Sequence, residues 1–134
     1  MASPVYKFRL GVPEHITLRC DRVGPVLRCR ARAVLGSLQW SAEMDTSDAE
    51  IDRFLADLAR VLASLSGTAE LKPAKVGTFC LRVSVDPRGA IKTEYEAQVW
   101  SGFGGRETGW QIKGSYLGNH LSYLKRLESE PAAG

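Results

Sequence analysis

The chain is poor in the residues that build metal centres and disulfide frameworks, with three cysteines and two histidines among 134 residues. Cys20, Cys29 and Cys80 form no C-x-x-C pair, and neither His15 nor His120 stands at a metal-ligand spacing from any of them. Structural zinc needs closely spaced Cys and His ligands, so no metal is expected. An odd thiol count without a secretion signal reads as reduced, half-buried cysteines and no disulfide. Long apolar runs are also missing. Nothing approaches the roughly 20 residues of a spanning helix, and the start Met-Ala-Ser-Pro-Val-Tyr-Lys-Phe-Arg lacks the apolar core of a secretion signal. A cytoplasmic protein without a membrane partner is the expectation. A large excess of one charge is absent too: 18 Lys/Arg oppose 15 Asp/Glu, a net +3, well short of the clustered basicity of a nucleic-acid binder. Gly102-Phe103-Gly104-Gly105 matches neither G-x-G-x-x-G nor G-x-x-x-x-G-K-[ST], and a strand pattern follows it where a phosphate site needs a helix. No cofactor is expected.

What is present is an ordinary globular composition, 44% apolar and 25% charged, enough for a single domain over residues 1–128 with a frayed tail at 129–134. The charge is segregated. Residues 1–40 carry 7 Lys/Arg against 2 Asp/Glu, a net +5; residues 41–70 carry 2 against 7, a net −5; residues 71–134 carry 9 against 6. Two faces of opposite sign are expected.

Strict alternation dominates the first third. Tyr6, Phe8 and Leu10 oppose Lys7 and Arg9, and Ile16, Leu18 and Cys20 oppose Thr17, Arg19 and Asp21. After Val23-Gly24-Pro25 the pattern resumes with Leu27, Cys29, Ala31 and Ala33 against Arg28, Arg30 and Arg32, which reads as a hairpin. Gly36 lies inside an alternation that continues to Trp40 and Met44, where a glycine suggests a bulge or bend. Ser47-Asp48-Ala49-Glu50 has capping-box spacing, and Ile51, Phe54, Leu55, Leu58, Leu62 and Leu65 draw one apolar stripe, so a helix of 18–20 residues should run to Gly67. Leu71-Lys72-Pro73-Ala74-Lys75 reads as a polar connection. Phe79 to Val85 and Ile91 to Val99 alternate around an Asp86-Pro87-Arg88-Gly89 turn, a second hairpin. Ser101 to Gly109 is a glycine-rich tip, Trp110 to Tyr116 a last strand, and Asn119 caps a short C-terminal helix lined by Leu121, Leu124 and Leu127. Strands joined by short turns pair antiparallel, and a single amphipathic stripe needs a sheet to cover it. The expected fold is α+β, a curved antiparallel sheet of about six strands packed on one long amphipathic helix.

Chemistry-bearing motifs are sparse. His15 and His120 have no Ser, Cys or carboxylate at a catalytic spacing, and Glu94 and Glu96 read as a solvated strand face, so no catalytic residue is expected. Two groups suit partner binding. Trp100, Phe103, Arg106 and Trp110 gather around the glycine-rich tip, and aromatics with arginine dominate binding hot spots. Arg28, Arg30 and Arg32 share one strand face, with Arg19 on the paired strand pointing the same way, a surface fit for an anionic partner.

The tryptophan strand ending at Trp40, the helix Asp48-Ala-Glu-Ile-Asp-Arg-Phe-Leu-Ala-Asp-Leu, the hairpin Leu81-Arg-Val-Ser-Val-Asp-Pro-Arg-Gly-Ala-Ile91 and the closing Gly109-Trp-Gln-Ile-Lys-Gly-Ser-Tyr116 together resemble WapI-like immunity proteins and related small bacterial families encoded near polymorphic toxins. The resemblance covers most of the chain and implies a non-enzymatic protein that binds and blocks a cognate toxin or effector. It transfers no binding residue. Immunity proteins against basic nucleases are usually acidic, and the charge of +3 departs from that pattern. The alternatives are a small ligand-binding domain or enzyme with a pocket between sheet and helix, bearing His15 or His120, and a regulatory nucleic-acid-binding module using Arg19, Arg28, Arg30 and Arg32.

Overall fold

The structure, a computed structural model, describes residues 5–72, 79–103, 106–121 and 123; for 100–103 and 106–110 it describes the backbone alone. Strands β1 (Tyr6–Leu10), β2 (His15–Val23), β3 (Val26–Leu35) and β4 (Leu38–Thr46) pair antiparallel in chain order. Helix α1 (Asp48–Ser64) follows, and then β5 (Thr68–Leu71), β6 (Phe79–Val85), β7 (Ile91–Phe103) and β8 (Arg106–Gly118) form a second sheet, again in chain order.

The expected α+β fold, one curved sheet of about six strands packed on a long helix, is therefore wrong: the described structure is mostly β, with two separate four-stranded antiparallel sheets and α1 as the one long helix between them. Three local causes account for the difference. Gly36, at φ +67°, sits in the two-residue turn between β3 and β4, so the long alternation folds back into a hairpin where a bulge was expected. Residues 68–71, too few to display an alternation, pair with β6 as an edge strand. Seventeen helical residues, about 25 Å of rise, then carry the chain from the last strand of one sheet to the first strand of the other.

Helix α1 starts as its sequence dictates. Ser47 is extended at φ −127°, and its hydroxyl accepts from the Glu50 amide at 3.2 Å. The helix ends at Ser64, short of Gly67, because Leu65 takes the left-handed cap conformation at φ 52°. Leu65 is consequently exposed and leaves the stripe, while Val61 joins Ile51, Phe54, Leu58 and Leu62 in the core. Helical backbone resumes at His120, Leu121 and Tyr123; the rest of the expected C-terminal helix, and the frayed tail, lie outside the described residues.

The alternation of both meanders sorts side chains as expected. Phe8, Leu10, Ile16, Leu18, Leu27, Ala31, Ala33, Trp40 and Met44 face inward from the first sheet, and Leu71, Phe79, Leu81, Val83, Ile91, Tyr95 and Ala97 from the second. Trp40 on β4 joins the sheets: its ring lies 6.1 Å from Phe79 and 5.1 Å from Tyr95, while Phe8 packs 6.1 Å from Phe54 of the helix. Tyr95 stands directly opposite Gly114, where a Cβ would come within 2.5 Å of the tyrosine hydroxyl. The Tyr116 hydroxyl donates to the Leu10 carbonyl at 2.6 Å, and the hydroxyls of Thr93 and Tyr123 are hydrogen-bonded to each other, so the polar atoms at this end of the core are satisfied.

Cys20 and Cys29 form a disulfide, and only Cys80 is a free thiol. The expectation of three reduced cysteines fails because the two-residue turn Gly24–Pro25 fixes the β2–β3 register with Cys20 opposite Cys29, both turned inward. The two positions are symmetric about that turn in the sequence.

Candidate functional site

The first sheet presents its other surface to solvent, and the register arranges it in rows. One row reads Lys7, Arg19, Arg30, Glu43 across β1 to β4; the next reads Arg9, Thr17, Arg32, Ser41; on the far side of Arg19 and Arg30, Asp21, Arg28 and Asp45 line up across β2 to β4. The structure thus brings together all four arginines selected from sequence. Their neutralisation is uneven. Arg28 Nε donates to Asp45 at 3.1 Å, a bond that holds its guanidinium pKa above the ordinary arginine value. Arg19 lies 3.6 Å from Asp21 and Arg30 3.7 Å from Glu43, while Arg32, between Thr17 and Ser41, has no ion pair among the described residues. The side chains of Arg19, Arg28 and Arg30 are 50%, 51% and 69% exposed, so these are surface pairs of small energy.

The acidic middle third makes no opposing open face. Asp48 receives a forked pair of bonds from Arg22 of β2 at 2.8 and 2.9 Å, Asp52 accepts from the Tyr6 hydroxyl of β1 at 2.7 Å, and Glu50 and Asp57 hold Arg53. Arg53 in turn donates to the Glu70 carbonyl of β5 at 3.0 Å. The carboxylates of α1 fasten the helix to both sheets.

The second sheet offers different chemistry. Its outer surface carries a concavity of about 1090 Å³ lined by Glu70, Cys80, Arg82, Glu94, Glu96 and Lys113 among others. This is not the expected pocket between sheet and helix, and neither histidine lines it. Opposite charges alternate across the strands: Glu70, Arg82 and Glu94 share one row, Cys80, Glu96 and Lys113 the next. Cys80 donates weakly to Glu96 at 3.6 Å, and burial, followed by the charge of Glu96, pushes its thiol pKa up. A thiol held protonated is a poor nucleophile. His15 donates from Nδ1 to the Pro13 carbonyl at 2.8 Å, an engagement within its own turn.

For the other candidate surface, the backbone of β7 and β8 pairs out to Phe103 opposite Arg106, so strand pairing extends well into the expected glycine-rich tip; Gly104 and Gly105 lie outside the described residues. The side chains of Trp100, Phe103, Arg106 and Trp110 lie outside the described residues. No helix among the described residues is long and apolar enough to cross a membrane. No family model matches the sequence, and no curated protein or solved structure matches it significantly.

Proposed function

We propose that the chain is a non-catalytic, cytoplasmic protein-binding module, an immunity protein or inhibitor, that docks an acidic surface of a toxin or effector on the outer face of its first sheet. The observation that carries this reading is the exposed arginine platform, four arginines on adjacent rows of a firmly paired sheet, with Arg32 making no ion pair among the described residues. Such a platform supplies forked, charge-assisted contacts to carboxylates at little ordering cost, because the backbone beneath it is fixed. Burial and Glu96 push the Cys80 thiol pKa up, away from an activated thiolate, and His15 is engaged within its own turn, which favours binding over catalysis at these two groups.

The test is paired affinity capture from the native host with the wild type, Arg30→Glu/Arg32→Glu, and Phe103→Ala/Arg106→Ala. An acidic protein retained by the wild type should be lost with the charge-reversed variant, whose thermal midpoint should stay unchanged because both side chains are at the surface. Loss with the Phe103/Arg106 variant alone moves the interface to the β7–β8 hairpin tip. Equal retention by all three overturns both placements.

A further inference from the structure

The Cys20–Cys29 bond lies directly beneath the proposed docking face. Arg19 pairs with Arg30 on one adjacent rung and Asp21 with Arg28 on the other, and their side chains leave the opposite surface of the same two strands. Both cysteines are fully enclosed. Cys80 is not a competing partner, since it sits on the outer face of β6 in the other sheet, bonded to Glu96.

We propose that Cys20 and Cys29 form a redox latch on the first sheet, closed by exchange with a low-molecular-weight disulfide such as oxidised glutathione and opened by the corresponding thiol. In closing, one cysteine thiolate attacks glutathione disulfide, forming a mixed disulfide and releasing one glutathione thiolate. The second cysteine thiolate then attacks the protein sulfur of that mixed disulfide and releases the second. The two cysteines lose two electrons, glutathione disulfide gains them, and the two protons end on the released thiols. The pair lies three rungs from the Gly24–Pro25 turn, so fraying of Val23–Val26, Arg22–Leu27 and Asp21–Arg28 gives the reagent access. Opening has a physical consequence. Two thiols need van der Waals separation where a covalent bond had sufficed, and a close-packed core with no exposed surface at either residue must widen between β2 and β3 to provide it. The cross-link's restraint on the unfolded chain is lost at the same time. In a cytoplasmic protein, a disulfide of this kind is characteristically transient and redox-sensing. Control of partner docking by the latch, and the cytoplasmic setting in which it would sense redox state, rest on the function proposed above; the exchange at the Cys20–Cys29 pair does not.

The experiment uses Cys80→Ser protein, leaving the pair as the sole cysteines, equilibrated with oxidised or with reduced glutathione, with dithiothreitol marking full reduction; a bond that reduced glutathione leaves intact overturns the latch. The oxidised form should be about two daltons lighter and show no titratable thiol after denaturation, where the reduced form shows two. It should melt about 5–10 °C higher. On reduction, amide hydrogen exchange should rise over residues 19–30 while β6 and β7 keep their protection. A Cys20→Ala/Cys29→Ala variant should show no difference between the buffers. Titratable thiols that persist in oxidised glutathione, equal melting temperatures, or protection lost evenly from both sheets would each overturn the latch. None of these bears on the Arg30→Glu/Arg32→Glu capture, so the two proposals fail separately.

Discussion

The two sheets share one connectivity and differ in what they enclose and what they show. Each is a four-stranded antiparallel meander with an alternation that turns one face inward. The first sheet is covalently cross-linked inside, with small and aliphatic residues such as Ala31, Ala33 and Leu18, and its exterior collects arginine. The second is filled by Tyr95 and Phe79 and by hydroxyl bonds through Thr93, Tyr116 and Tyr123, and its exterior alternates Glu with Lys and Arg around a concavity. The difference teaches that topology decides which side chains share a face, whereas the residues on the polar half of the alternation decide what the face can bind.

The helix that serves both sheets gives the largest test of this comparison. Leu58, fully buried mid-stripe, should cost about 2–5 kcal/mol when replaced by alanine, read from the denaturant midpoint, with both sheets losing protection together. Arg60→Ala, on the exposed side of the helix, should stay within about 0.5 kcal/mol of the wild type. A transition splitting into two steps would show that the sheets are independent units. Next in size is a pair of glycines. Gly114→Ala, which drives a methyl group into Tyr95 in the second sheet, should cost about 1–3 kcal/mol. Gly36→Ala in the first sheet meets open space and bears only the left-handed backbone penalty of about 1 kcal/mol. A larger loss at Gly36 would reverse the assignment of crowding to the second sheet.

The last test is a pH dependence at the joint between β1 and α1. Burial, then the bond to Asp52, pushes the Tyr6 pKa up to about 12 from 10.0. A group raised on folding contributes stability in full below its unfolded pKa and loses it as pH climbs through the folded one. The stability advantage of the wild type over Tyr6→Phe should therefore be constant below pH 10 and fall between pH 10 and about 12, followed by urea midpoints at each pH. A constant difference across that window would mean that Tyr6 does not hold the helix through its proton.

The inward set of nearly every strand was legible because alternation is a local signal: Phe8, Leu18, Cys29, Val83 and Tyr95 are where the period of two puts them. The four arginines of the platform were legible for the same reason, since a shared face follows from strand parity and hairpin register. The division into two sheets was not legible, because it depends on Gly36 turning where it could have bulged and on a four-residue edge strand whose only sign is its pairing with β6. The concavity was invisible because it arises from the shape of a whole sheet. The disulfide could have been found: two cysteines equidistant from a two-residue turn must face one another across an antiparallel pair.

The strictly sequential strand order has a kinetic meaning. Every strand pairs with its immediate neighbour in the chain, so each rung closes a short loop and neither sheet waits for a distant segment to arrive. Each meander can zip outward from its own turns. The contacts that span long stretches of chain, Trp40 with Tyr95 and Tyr116 with Leu10, are then made between preformed sheets. They belong to the last step of folding, where sheet docks on sheet, and residues at that junction should govern how fast the molecule comes apart more than how fast it forms.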